Sequence, residues 1–327
     1  MRVIEAVEPG GPEALVVRER PRPVPGAGEV LIHIAAAGLN RADILQRRGL
    51  YPPPAGAPSW PGLEAAGTIE AVGAHVVEPT VGEQVCVLLP GGGYAEYCVA
   101  PAALCLPVPE NLTLVEAASL PEAYCTVWSN LYDFAHLKSG ESLLVHGGSS
   151  GIGITAIQLA TALGSRVIVT AGSDEKCRFC ERLGAQAAVN YRTQDFAAAV
   201  LELTKNRGVD VVLDMVGGSY FTRNIAALAP DGRLVIIATQ DGAKGEADLR
   251  TVMAKRLVIT GSMLRPREVE FKRRVRNELL GKVWPMLANE RLKPVVDRVF
   301  PMNEAAAAHA YFESGVHIGK IVLEFTS

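Results

Sequence analysis

The pattern of apolar and polar positions changes character partway along the chain. Up to about residue 122 the apolar residues come in short runs rich in valine, isoleucine and tyrosine: Arg2 to Val7, Val16 to Arg20, Val30 to Ala37, Thr68 to Val72, Gln84 to Leu89 and Tyr94 to Val99. Glycine and proline clusters part them, so they predict strands, and together a closed or partly open barrel. One helical stretch interrupts the series, RADILQRR, with Asn40 as N-cap and Gly49 as stop. The proline-rich YPPPAGAPSWPG after it cannot be regular structure and reads as a rigid surface loop, the kind of scaffold-held segment that carries binding groups.

From about residue 113 helical patterns alternate with apolar runs: VDVVLD (Val209 to Asp214), LVIIAT (Leu234 to Thr239) and LVITG (Leu257 to Gly261). Alternation of this kind predicts a parallel, doubly wound sheet. The last sixty or so residues predict a long helix from Pro266 to about Glu290, a strand from Val295 to Phe300, a short helix from Glu304 to Phe312 and a closing strand, IGKIVLEF. If that last strand rejoins the barrel, the doubly wound unit is an insertion.

The unit opens with Ser142 to Val145, a glycine-rich turn, a helical pattern (Ile152, Ala156, Leu159, Leu163) and a second β-branched run ending at Thr170. A strand, a tight turn and a helix N-terminus make a pyrophosphate cradle. Gly148, Ser150 and Gly153 occupy the three fingerprint places, with Gly151 adjacent, so the second place carries a hydroxyl instead of bare backbone. Where an NAD enzyme puts an acid against the ribose 2′-hydroxyl, this chain has Gly172. Ser173 and Lys176 follow, and Tyr191 ends the next apolar run, so a hydroxyl, an ammonium and a phenol can gather around a 2′-phosphate. A charge-assisted hydrogen bond of roughly 1.5–3 kcal/mol favours NADPH over NADH by one or two decades. Asp174 and Glu175 dilute that charge, and Lys176 as a solvated helix residue is the plain alternative.

Composition narrows the class. A chain of 327 residues that is 49% hydrophobic and 20% charged, with net charge −3, suffices for two domains and has no basic field for nucleic acid. Its apolar runs are too short to span a bilayer and its first residues read as a strand, which fits a soluble, cytoplasmic protein with no membrane partner. The six cysteines lie mostly in apolar patterns; Cys177 and Cys180 form one C-x-x-C without a second pair at zinc spacing, so neither a metal nor a redox dithiol is expected. Among the histidines, His33, His75, His309 and His317 have no second ligand type at metal spacing. His146 ends the first strand of the unit and is expected to be buried structure.

The motifs LNRADILQRRGLYPPP, PGLEAAGTIEAVG, LLPGGGYAEY, GGSSGIG, TAGSDEK and IGKIVLE, in this order, resemble the medium-chain dehydrogenase/reductase superfamily. Within it the likeness is to the zinc-free quinone oxidoreductase group that includes zeta-crystallin, and to its tumour-suppressor-induced branch. The resemblance implies an α/β fold, with a Rossmann sheet (123–265) inserted in a GroES-like barrel domain (1–122 plus 266–327). It also implies a homodimer joined through the Leu257 to Met263 edge. The zinc alcohol dehydrogenases of the superfamily carry a cysteine in the first motif and Gly-His-Glu in the second. Here those regions read Gly38-Leu39-Asn40-Arg41-Ala42-Asp43 and Gly62-Leu63-Glu64, and the four cysteines of the structural zinc lobe are missing, so no zinc is expected.

By the same resemblance Asn40 lines the nicotinamide and substrate cleft, Tyr51 closes over the nicotinamide and hydrogen-bonds the developing oxyanion, and Trp60 either closes the cleft or packs. Thr126 faces the carboxamide, Ser149, Ser150, Gly151, Ile152 and Gly153 serve the pyrophosphate, and Thr239, Ser262, Met263, Leu264, Arg265 and Lys320 serve the nicotinamide half. Arg265 can equally be a surface charge. Without a metal or a matched acid–base set, reduction of a substrate that is already an electrophile is the expected chemistry. That is hydride transfer from NADPH to a quinone. An enone or an unsaturated thioester is an alternative acceptor, and an NADPH-binding structural or RNA-binding protein with little turnover is a further one.

Overall fold

The computed structural model describes residues 1–325 and divides into two compact units, Met1–Cys125 together with the chain from Arg265 onward, and Thr126–Leu264. The first begins with a hairpin, β1 (Arg2–Ala6) against β2 (Leu15–Glu19). The sheet strands follow: β3 (Glu29–Gly38), β4 (Glu64–Val72), β5 (Gln84–Leu88), β6 (Tyr97–Pro101) and β7 (Cys105–Pro107), with helix α1 (Arg41–Arg47) between β3 and β4. Short α2 (Leu114–Ala117) and α3 (Pro121–Trp128) lead into the second unit. Several sequence boundaries move, the starts of two strands of this unit by three residues or more. The strand expected from Thr68 starts at Glu64, because Ala65, Ala66 and Gly67 lie so close to β3 that a Cβ at Gly67 would collide with the His33 carbonyl. The strand expected from Tyr94 starts at Tyr97; Tyr94 instead turns into the core, wholly buried.

The second unit is a parallel sheet in the order β10-β9-β8-β11-β12-β13. Its strands are β8 (Ser142–Val145), β9 (Arg166–Ala171), β10 (Ala187–Asn190), β11 (Val209–Asp214), β12 (Leu228–Ile236) and β13 (Val258–Gly261). Helices α4 (Gly151–Ala162), α5 (Asp174–Arg182), α6 (Phe196–Leu203), α7 (Phe221–Ala227) and α8 (Leu249–Lys255) connect them. Strand order reverses between β8 and β11, the switch point where open parallel sheets open a crevice at their carboxyl ends.

The chain then returns to the first unit. The single helix expected from Pro266 to about Glu290 is two, α9 (Val269–Lys282) and α10 (Trp284–Ala288), because Pro285 cannot continue the hydrogen-bond ladder. Then β14 (Val296–Pro301), α11 (Ala305–Ser314) and β15 (Lys320–Glu324) follow; β15 pairs antiparallel with β3 and parallel with β14, which completes the sheet order β14-β15-β3-β4-β5-β7 with β6 also on β3. Among the described residues no helix is long and apolar enough to cross a membrane.

Candidate functional site

In the first unit the expected residues surround Glu64, which is wholly buried at the start of β4. Its Oε1 accepts from Lys320 Nζ at 2.6 Å and Asn40 Nδ2 at 2.9 Å, and its Oε2 from the Glu122 N–H at 2.8 Å. The Lys320 ammonium also donates to Asn40 Oδ1 at 2.7 Å and the Leu39 carbonyl at 3.3 Å. An ammonium has three protons, so these contacts use all of them. Lys320 is thus placed as the counter-ion of Glu64. Asn40 stands at the start of α1, yet its amide faces Lys320 and Glu64. The reciprocal cap comes from Asp43, whose Oδ2 accepts the Asn40 N–H and whose Oδ1 accepts the Gly62 N–H, both at 2.8 Å. Burial pushes the Asp43 carboxyl up to about 6, although these two amides and the nearby Lys320 and Arg265 favour its charge.

This donor set does not fit a catalytic zinc. The positions of the family's cysteine and histidine hold Asn40 and the buried Leu63, and Glu64 already carries a cation.

Tyr51 is half-buried beside Arg265, whose guanidinium carbon lies 5.1 Å from the ring centroid. Arg265 is not a surface charge. It belongs to the first unit, 7% exposed, and donates to Pro90 O at 2.6 Å, Gln46 Oε1 at 2.6 Å and Tyr51 O at 3.3 Å. Gln46 in turn donates to Ser59 O at 2.8 Å, so one arginine and one glutamine pin both ends of the proline loop. Burial raises the Tyr51 phenol, Arg265 draws it down and Glu122 raises it again, so at neutral pH it keeps its proton and can donate. Trp60 packs in the loop, its indole N–H on Gly92 O at 3.0 Å.

In the second unit the expected residues gather at the carboxyl ends of the strands. After β8, Gly147 turns at φ +71°. A Cβ at Gly148 would meet Val169 Cβ at 2.7 Å, and one at Gly153 would meet the Gly148 carbonyl carbon at 2.6 Å, so glycine lets α4 approach the sheet. Ser150 is the N-cap of α4, its Oγ accepting the Gly153 N–H at 3.1 Å. The hydroxyl that looks like a defect in the glycine pattern thus caps the helix, leaving the first-turn amides of Gly151 and Ile152 for an anion. After β9, a Cβ at Gly172 would come within 2.8 Å of Tyr191 Oη, so glycine is what lets the phenol lie there. Ser173 caps α5 through the Lys176 N–H at 3.2 Å, and Asp174 is turned to Asn190 Nδ2 at 2.7 Å. Thr239 lies in the loop after β12. Ser262, after β13, donates to Asn130 Oδ1 at 2.8 Å while Asn130 Nδ2 donates to Thr126 O at 2.8 Å. Asn130 is not among the residues expected from the sequence; it brings Ser262 and Thr126 to one corner, and a lone asparagine in an apolar helix is its signal. Ser149 is buried, Leu264 is buried, and Met263 is 65% exposed.

A glycine-turned helix N-terminus at the switch point, beside a strand end without an acid, defines a dinucleotide-binding sheet, and the barrel unit returns to its own first strands through β15. Residues 26–110 match the model for the alcohol dehydrogenase GroES-like domain and 151–277 that for zinc-binding dehydrogenase. The chain is 31% identical to the quinone oxidoreductase of Rattus norvegicus over 329 residues, 99% of this chain and 97% of that one. It is 33% identical over 320 residues to a phenolphthiocerol/phthiocerol polyketide synthase of Mycobacterium tuberculosis, and there spans 97% of itself but only 14% of that protein. Among solved structures it matches Escherichia coli quinone oxidoreductase complexed with NADPH (29% identity, TM-score 0.89, 99% and 100% of the two chains). It also matches the CurK enoyl reductase (30%, 0.88, 99% of each). The chain belongs to the medium-chain dehydrogenase/reductase superfamily, in its zinc-free, quinone oxidoreductase-like group of NAD(P)-dependent oxidoreductases.

Proposed function

We propose that the protein reduces quinones with NADPH, without a metal. The observation that carries this reading is the Glu64–Lys320 pair: where the zinc enzymes of the family would polarise an alcohol, this chain holds a neutralised, fully hydrogen-bonded carboxylate. It has no Lewis acid to offer an alcohol, and a quinone needs none. The bound nicotinamide supplies the hydride. The amides of Gly151 and Ile152 would hold the pyrophosphate, with Gly153 letting α4 pack on the turn; Gly172, Ser173, Lys176 and Tyr191 would hold the 2′-phosphate, and Thr126, Thr239 and Ser262 would serve the nicotinamide half. The Tyr51 phenol, held by the Arg265-pinned loop, donates to the quinone oxygen on which charge develops. A second acceptor class, an enone or unsaturated thioester, is favoured by the match to an enoyl reductase and reacts by the same transfer. Exposed Val258 and Ile259 on edge strand β13 support a homodimer, which sedimentation tests.

The test is oxidation of NADPH and NADH by ortho- and para-quinones and by an enone panel, with metal-stripped wild type and Lys176→Ala. Turnover with quinones, NADPH preferred and that preference reduced in the variant, is the expected result. Equal use of NADH refutes the 2′-phosphate pocket, and activity only after zinc is added refutes the metal-free mechanism.

A further inference from the structure

Behind the glycine-rich turn a line of buried polar side chains runs across the sheet, and the reaction described above uses none of them. Asp214, at the end of β11, accepts the Val216 N–H at 2.7 Å and the Gly217 N–H at 3.2 Å on Oδ1. Its Oδ2 accepts Asn224 Nδ2 at 3.1 Å. An acceptor-only carboxylate fixes which way Asn224 points, so Asn224 Oδ1 faces His146 Nε2 at 2.7 Å and that nitrogen must carry the proton. His146 Nδ1 is then an acceptor, and the Thr170 hydroxyl donates to it at 3.0 Å. Thr170 Oγ1 in turn accepts the Gly147 N–H at 3.4 Å. His146, Asn224 and Asp214 are wholly buried and Thr170 is 1% exposed. The imidazole is wedged edge-on between Phe196 and Tyr220, with ring centroids at 4.7 and 4.8 Å, and the Arg223 guanidinium lies over both of those rings. Burial and that cation both hold the imidazole neutral, while Asp214 and Asn224 pull the other way.

The two ends of the line are the two turns that flank the switch point. Gly147 (φ +71°) follows β8, and its carbonyl accepts the Ser150 N–H at 2.9 Å, so its orientation sets the start of α4. Gly217 (φ +68°) follows β11. Strands β8 and β11 are neighbours, but among the described residues their two turns share no backbone hydrogen bond that would fix one against the other. The side-chain line does so, and its donor order permits only one histidine tautomer.

We propose that His146, as the Nε2–H tautomer, is a positioning residue that locks the Gly147 turn to the Val216–Gly217 turn and so pre-shapes the dinucleotide cradle. It touches no reacting atom. The inference rests on the assignment of these turns to the NADPH cradle, and its test separates the two.

The first measurement is the tautomer: nitrogen-15 chemical shifts and ring couplings of His146 in the full-length wild type, where the Nε2–H form is expected and the Nδ1–H form overturns the proposal. The second is NADPH titration of His146→Leu, His146→Gln and Thr170→Val, with KM and kcat for a quinone and with amide exchange at Gly147 and Gly217. Loss of one net hydrogen bond corresponds to roughly three- to tenfold weaker NADPH binding, with kcat at saturating NADPH changed by less than about twofold. Glutamine, which has both a donor and an acceptor, should recover part of the loss, and exchange at both glycines should quicken in His146→Leu and Thr170→Val. If His146→Leu does not fold, Thr170→Val decides alone: it keeps the β-branched shape on β9 and removes the one hydroxyl that joins His146 Nδ1 to the Gly147 N–H. A folded Thr170→Val that binds NADPH as wild type does, with unchanged exchange, overturns the proposal. A wild type that binds no dinucleotide overturns the cofactor reading instead, and the tautomer and exchange data then still decide whether the line locks the two turns.

Discussion

Replacing Lys320 by methionine measures how far the first unit depends on one buried ammonium. Methionine keeps the apolar stem and removes the donations to Glu64 Oε1 (2.6 Å), Asn40 Oδ1 (2.7 Å) and Leu39 O (3.3 Å). Glu64 is left as a carboxylate at 0% exposure with two donors, Asn40 Nδ2 and the Glu122 N–H. Breaking one side of a buried pair costs roughly 3–5 kcal/mol, mostly the desolvation of the stranded charge. The two surviving hydrogen bonds put the expected loss at the low end, about 3 kcal/mol. Glu64→Gln alone strands the ammonium and should cost a similar amount. The double variant buries no charge at this point: its glutamine oxygen offers the Glu122 N–H an acceptor, and once the Asn40 amide turns over its NH2 offers the Asn40 oxygen a donor. It should lose only about 1–2 kcal/mol, a coupling energy of about 4 kcal/mol between the two sites. Urea denaturation followed by tryptophan fluorescence reads this, since Trp60 and Trp284 both lie in this unit. A double variant destabilised by the sum of the single losses would refute the pairing.

Other outcomes follow from the same geometry. Gly153→Ala puts a methyl within 2.6 Å of the Gly148 backbone, so α4 must retreat from the turn; NADPH affinity should fall at least about tenfold by calorimetric titration, and an unchanged affinity would show that the turn is not the cradle. Gly172→Asp restores an acid opposite the ribose and displaces Tyr191 Oη; the ratio of kcat/KM for NADPH over NADH should drop by at least about tenfold, and a preserved ratio would count against the pocket. Burial, then Glu64, push Glu122 up to about 7, while Lys320 lowers it. With its folded value above its unfolded value of 4.5, its contribution is full below 4.5 and is lost as pH rises through about 7. Glu122→Gln should therefore be more stable than wild type at pH 8 by about 1–2 kcal/mol, discounted for partial exposure, with no gain near pH 4. A gain independent of pH would refute the assignment.

What the sequence makes legible follows the range of the interactions. The glycine turn, the helix that follows it and the acid-free end of β9 are local, and each can be read within a dozen residues. Ser150 reads as a hydroxyl where the fingerprint wants bare backbone, because its capping partner, the Gly153 N–H, exists only once the helix has formed. Lys320 and Arg265 escape a local reading for a different reason. Their partners lie 256 residues away for Glu64 and 175 for Pro90, and no periodicity connects them. A lysine at the start of a closing strand reads like any solvated lysine until β15 pairs with β3 and carries it to the start of α1. His146 reads correctly as buried, but its partners on β9, β11 and α7 give it a direction that one strand end cannot reveal.

The same buried lysine bears on why this scaffold holds no easy route back to zinc. Restoring the family's ligands by Asn40→Cys and Leu63→His would supply a thiolate and an imidazole beside Glu64, enough protein ligands for an open tetrahedral site. Lys320 would remain 2.6 Å from the third ligand, so the ammonium and the metal would compete for one carboxylate. At about 4 Å and an effective dielectric of about 20, a divalent and a monovalent cation repel by roughly 8 kcal/mol, comparable with the binding energy of a structural zinc. The loss of Asn40 would also leave one proton of Lys320 without its acceptor. The double variant is therefore expected to bind zinc weakly, and the triple variant with Lys320→Met to bind at least about a thousandfold more tightly in a competitive chelator titration. Tight binding by the double variant with Lys320 intact would show that the ammonium is free to swing away. The Glu64–Lys320 pair would then not be what excludes the metal.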